Sequence, residues 1–157
     1  MPTIDFPFDA IDKLTFQPKP QPLPASLRPI YRIALIALVL KINCRGQTAT
    51  LLKLQFFNWL LKCSSLKELI EKGLKHHDNF TLELIHIDPM VNLALNYAFA
   101  DGLVEITGNS KYKLTEKGNQ FVTSILDRDP LLLSGERKVL TKIGQQVSEV
   151  KLRNILL

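Results

Sequence analysis

The chain has 157 residues, 46% of them apolar and 22% charged, with a net charge of +5. That balance excludes an intrinsically disordered chain and suits one domain with extensions, large enough to bury roughly 70% of its unfolded surface. Cys44 and Cys63 lie outside any Cys-x-x-Cys pair, which argues against a structural zinc site and reads as two buried thiols in a reducing compartment.

The charge is unevenly spread. Residues 28–75 hold nine Lys or Arg against two Glu, and residues 76–110 hold five acids and no Lys or Arg. The first stretch can approach a polyanion and the second repels one.

Residues 1–27 read as an extended arm. Seven of the nine prolines lie at or before Pro29, densest from Pro18 to Pro24, a composition that opposes helix and favours extended backbone. The arm also carries Ile4, Phe6, Phe8, Ile11, Leu14 and Phe16, too many large apolar groups for a solvated linker. It is expected to dock, on this domain or on a partner. No secretory pattern is visible in Met1–Lys13, and the longest apolar run, Ile33–Leu40, is eight residues where a membrane span needs about 20. A cytoplasmic protein without a membrane segment is the expectation.

Residues 28–130 read as one domain. The spacing predicts a first helix over Ile30–Ile42 with no polar face in its middle, which demands burial on all sides, in part against another subunit or under the arm and the C-terminal helices. A second helix is predicted over Leu51–Lys62, capped by Thr48 or Thr50 and expected at the centre of the core. Its Gln55, Asn58 and Lys62 make a narrow polar stripe at i, i+3, i+7. Ser65-Leu66-Lys67-Glu68 is a capping box for a third helix ending at Gly73, and Thr81–Ile87 reads as a strand.

Asp88 is placed to cap, and Pro89 to begin, the next helix, as far as Ala100. Then come two short alternating segments, Val104–Ile106 and Tyr112–Leu114, with Gly108-Asn109 between them to supply positive φ. Thr115 caps a helix over Glu116–Asp127, and Asp129-Pro130 breaks it. Residues 131–157 form a helical extension starting near Ser134, with Val139, Leu140, Ile143 and Val147 on one face and Ser148 recapping a short last helix. Helix, hairpin, helix is the end of a winged-helix domain. The fold class is therefore α+β, mostly helical, with a small antiparallel sheet as the wing.

No catalytic constellation is present. There is no glycine-rich phosphate loop and no Gly-x-Ser-x-Gly elbow. His76-His77-Asp78 reads as a solvated loop, and no metal or cofactor is expected. Binding remains. Many winged-helix domains read DNA with the helix before the wing, which needs Arg, Lys, Asn or Gln at base edges and cations for phosphate. Here only Asn92 and Asn96 are polar, and Asp88 and Asp101 flank the helix. Lys111, Lys113 and Lys117 on the wing are the candidates for contact with a nucleic-acid backbone. The candidate partner contacts are Phe6, Phe8 and Phe16 in the arm with Tyr31 and Arg32 on the first helix.

LRPIYRIALIALVL (Leu27–Leu40), ATLLKLQFFNWLL (Ala49–Leu61), DPMVNLALNYAFADGLVEI (Asp88–Ile106) and YKLTEKGNQFV (Tyr112–Val122) together resemble the middle component of bacterial ABC-three-component systems, including Lamassu-type defence systems. The LT-E-K-G after a wing is shared with many winged-helix regulators, including the MarR type. The resemblance implies a non-catalytic accessory subunit beside an SMC-like, coiled-coil ABC ATPase, bridging it to an effector such as a nuclease in defence against phage or plasmids. The alternative is a MarR-like regulator that binds DNA as a dimer.

Overall fold

The computed structural model describes residues 24–63, 87–128, 131–150 and 152. The arm residues 1–23, the third predicted helix and nearly all of the Thr81–Ile87 strand lie outside the described residues. The fold is α+β. Among the described residues there are five α-helices and a three-stranded antiparallel sheet: α1 (Pro29–Asn43), β1 (Thr48–Ala49), α2 (Leu51–Lys62), α3 (Pro89–Ala100), β2 (Val104–Ile106), β3 (Tyr112–Leu114), α4 (Glu116–Arg128) and α5 (Ser134–Ile143).

The centre of the core is α1, not α2. Every residue from Arg32 to Leu40 is buried, because α2, α3, α4 and α5 all pack against this one helix. A helix without a polar side needs such a surround, and this chain supplies it from its own elements. Phe57, Leu54, Leu95, Val91, Val122 and Leu140 share one buried core with Leu38 and Leu40. Residues 131–152 belong to this core as well, through Leu133, Val139, Leu140, Ile143 and Leu152.

α5 runs parallel to α1. Tyr31 Oη donates to Glu136 Oε1 at 3.0 Å near one end of the pair. At the other end, Asn43 Nδ2 donates to the carbonyls of Leu140 (2.9 Å) and Gly144 (2.6 Å) at the C-terminus of α5. Buried Lys53 does the same for α1, donating to the Asn43 carbonyl at 3.1 Å.

The caps follow the local chemistry. Thr50, rather than Thr48, caps α2 by accepting from Lys53 N at 3.3 Å. Thr48 lies instead in β1, whose two residues pair with Lys113 and Tyr112 of β3. That third strand was not foreseen, since two residues carry no alternation to read. α3 ends in a Schellman motif, with Leu103 N bonded to Ala98 O at 2.8 Å and Gly102 N to Phe99 O at 2.9 Å. Gly102 takes the left-handed position, φ +68°, that such an ending requires.

The β2–β3 connection differs from expectation. Positive φ falls on Ser110 (+53°), not on Gly108-Asn109. Ser110 N bonds to Thr107 O at 3.0 Å and Thr107 N to Lys111 O at 2.8 Å. This is a three-residue loop, a turn followed by one left-handed residue, in which the last loop position takes the positive angle.

Candidate functional site

The candidate surface is the outward side of α3 with the β2–β3 hairpin beside it. Val91, Ala94, Leu95 and Ala98 face the core. The other side presents Asn92, Leu93, Asn96, Tyr97, Phe99 and Ala100, all exposed. It holds no cation. Tyr97 and Phe99 are about half exposed, at 47% and 52%. Asp88 stands at the N-terminus of the helix and Asp101 at its C-cap.

Asn92 and Asn96 share this face as the spacing predicts. Asn92 is already engaged, however, with its Oδ1 accepting from Gln55 Nε2 at 3.2 Å.

The hairpin's lysines are bound within the chain. Lys113 Nζ lies 3.0 Å from Glu105 Oε1, its cross-strand neighbour. Lys117 Nζ donates to the Asp101 carbonyl at 2.6 Å, a favourable place for a cation at a helix C-terminus. Lys111 is half-buried, with no partner among the described residues. The three lysines are thus brought to one region, but two of them are spent on acidic or carbonyl neighbours.

Behind α3 lies a polar cluster where α1, α2 and α3 converge on Asp88. Asp88 Oδ1 caps α3 by accepting from Met90 N at 3.0 Å. Its Oδ2 accepts from Arg32 Nη1 (3.0 Å), Asn58 Nδ2 (3.3 Å) and Lys62 Nζ (2.5 Å). Its backbone N–H donates to Gln55 Oε1 at 2.9 Å, and its carbonyl accepts from Gln55 Nε2 at 3.2 Å. Arg32 also donates to Asn58 Oδ1, and its Nε to the Ser26 carbonyl at 3.0 Å. Burial alone would push the Asp88 carboxyl up. Lys62, the Met90 N–H, Asn58 and Arg32 outweigh it and hold the group down at about 2.

Arg32, expected as a partner contact, is therefore turned inward, at 4% exposed. It is the strut that joins the chain entering α1 to the start of α3. The reason is that a guanidinium beside an apolar helix stays buried only where acceptors and an anion meet it; Ser26 takes its Nε–H, and Asn58 and Asp88 take Nη1. Tyr31 is half-buried. Burial first, then the Glu136 hydrogen bond and charge, raise its hydroxyl to about 12, with Arg32 opposing, so it acts as a neutral donor. Phe6, Phe8 and Phe16 lie outside the described residues.

Sequence reasoning saw Asp88 only as a cap. The signal for its larger role was the stripe Gln55–Asn58–Lys62, three polar groups on one side of an otherwise apolar helix. That stripe is the side that meets Asp88.

An open groove of about 530 Å³ runs along α4, lined by Lys41, Glu116, Asn119 and Asp127 among others. Lys41 Nζ is tied to Asn119 Oδ1 at 3.0 Å, and the Ser124 hydroxyl donates to its own helix at Phe121 O. Among the described residues there is no cluster of three His, Cys, Asp or Glu that could hold a metal, and no helix long and apolar enough to cross a membrane. Comparison with protein-family models, with curated proteins and with solved structures finds no match to this chain.

Proposed function

We propose that this chain is a non-catalytic bridging subunit that links an SMC-like ABC ATPase to an effector, such as a nuclease, in a bacterial anti-phage or anti-plasmid complex. The resemblance supplies the class of partner. The observation that carries the reading is the outward face of α3: a helix set before a β-hairpin, where a winged-helix domain would present its base-reading side chains, is apolar and cation-free. Its Leu93, Tyr97 and Phe99 suit a protein surface, since aromatic side chains anchor interfaces. Pressing them into a major groove would gain nothing from bases, and Asp101 at the C-terminal end would face phosphate. The Phe-rich arm is the second contact element, through Phe6, Phe8 and Phe16, with Tyr31 rather than the buried Arg32 beside it. Nucleic acid, where touched, meets Lys111 and its neighbours without sequence preference.

Two measurements test the reading. Co-expressed with the coiled-coil ATPase of its own genome, the chain is expected to co-purify in fixed ratio, and Leu93→Asp with Tyr97→Asp to abolish that. Titrated alone with duplex DNA, it is expected to bind weakly with a shallow salt dependence. Tight, sequence-selective binding by a homodimer, with a steep salt slope, would overturn the proposal in favour of a MarR-like regulator.

A further inference from the structure

The fold sorts the charges of the α5 segment. Residues 134–150 hold three Lys or Arg and two Glu, a nearly neutral stretch along the chain. Both acids turn to donors inside the molecule. Glu136 Oε1 accepts from Tyr31 Oη at 3.0 Å, and Glu149 Oε1 accepts from the backbone N–H of Thr50 at 2.9 Å. The cations go the other way. Val139, Leu140 and Ile143 face the core. At about 100° per residue, that puts Lys138, Thr141 and Lys142 on the solvent side. All three are exposed, with Arg137 half-buried at the edge of the stripe.

The outcome is a helix face with two lysines at i, i+4 and a hydroxyl beside them, without a carboxylate or a large apolar group. Those side-chain types meet phosphate oxygens. Lys138 and Lys142 stand about 5–6 Å apart at their Cβ atoms. Duplex DNA offers a phosphate charge for about every 1.7 Å of its axis, so both lysines find one at once. A membrane surface or a protein groove would ask for apolar anchors, which this face lacks.

The face is also separate from that of α3. Both helices pack against α1. Tyr31 reaches Glu136 of α5, whereas the next residue, Arg32, reaches Asp88 at the start of α3. Successive helical residues point about 100° apart, so α5 and α3 lie on different sides of the central helix.

We infer that the solvent face of α5 is a sequence-independent contact for the phosphate backbone of duplex DNA. Lys138 and Lys142 carry it, with Arg137 at its edge. The contact adds to Lys111 on the hairpin and leaves the α3 face open to a protein. It stands on the charge sorting alone and does not rest on the bridging role.

The test titrates the full chain with two fluorescent duplexes of unrelated sequence. Equal affinities are expected. Log K should fall against log salt with a slope of about −2 to −3, since each phosphate contact contributes about −0.9. Lys138→Ala with Lys142→Ala should flatten the slope by about 2 and weaken binding on the order of a hundredfold at about 50 mM salt. Circular dichroism should stay unchanged, because both side chains are exposed, and Lys138→Arg with Lys142→Arg should retain binding. No binding to either duplex, an unchanged slope in the alanine variant, loss of binding through Lys111→Ala alone, or tighter binding to poly-glutamate than to DNA would each overturn the inference. None of these results touches co-purification with the ATPase, which is read on Leu93→Asp with Tyr97→Asp, so the two ideas fall separately.

Discussion

Arg32 on α1 and Asp88 at the N-cap of α3, 56 residues apart in the chain, meet at 3.0 Å. Through this pair the entry to the central helix is fixed to the start of the helix that carries the candidate surface. Lys62, at the end of α2, lies 2.5 Å from the same carboxylate oxygen. Three helices are thus tied at one atom.

Removing the shared acceptor should be costly. In Asp88→Ala the Arg32 guanidinium stays buried without its anion and the Met90 N–H loses its cap. A loss of about 3–5 kcal/mol is expected from the orphaned buried charge, with about 1 kcal/mol more from the cap. Lys62→Ala, which deletes an exposed partner, should cost under about 1 kcal/mol. Urea unfolding of the two variants checks the ratio, and equal losses would show that Arg32 finds other partners.

The same carboxylate makes stability depend on acid. Its folded value, about 2, lies below the ordinary 3.8, so the stabilisation is complete above pH 4 and is lost as pH falls towards 2. The shift corresponds to roughly 2 kcal/mol. Comparing wild type with Asp88→Asn removes the contribution of the other carboxylates. The wild type is expected to lose roughly 2 kcal/mol more than the variant between pH 4 and pH 2, and parallel pH curves would refute the assignment.

Gly118 has no room for a side chain. A Cβ placed there would sit 2.2 Å from the Leu103 carbonyl oxygen and 2.7 Å from the Leu114 side chain. The close approach is set by Thr115, whose N–H bonds to Leu103 O at 3.1 Å and whose Oγ1 accepts from Gly118 N at 3.0 Å. Gly118→Ala should therefore cost about 3 kcal/mol by overpacking against backbone. Gly108→Ala, with nothing within 4 Å, should stay within about 0.5 kcal/mol. Thermal unfolding of both variants separates them.

Ser110 holds the left-handed position of the hairpin, φ +53°. Glycine adopts that angle freely and serine does not. Ser110→Gly is expected to raise stability by about 0.5–1 kcal/mol, visible as a higher urea midpoint at unchanged slope. A drop would mean that the hairpin closes differently.

The two thiols should react unequally. Cys44 is 2% exposed, and burial, with Glu149 adding and Lys53 opposing, raises it to about 11. Cys63 is partly exposed. Native protein at pH 8 is expected to take up one equivalent of thiol reagent promptly and the second only on unfolding. Prompt labelling of both would place Cys44 outside the core.

Much of the element order could be read from residue patterns, because helices with caps are local events. Thr50 and Asp88 sit where a short polar side chain must meet open N–H groups, and each caps a helix. Thr115 accepts from Gly118 N at the start of α4. Pro29 and Pro89 open helices, since the first helical residue needs no N–H of its own. The poverty of cations on α3 was equally legible, being a matter of composition. Three things depended on the assembled chain. β1 exists only because β3 arrives beside Thr48–Ala49 from far along the sequence. The turn type at Ser110 was decided by how many residues the paired strands left between them. The direction of Arg32 was settled by acceptors on α2 and α3, which no pattern along α1 could reveal. Local propensity acts over a turn or two of chain, whereas the partner of a buried charge is chosen by whichever helices pack around it.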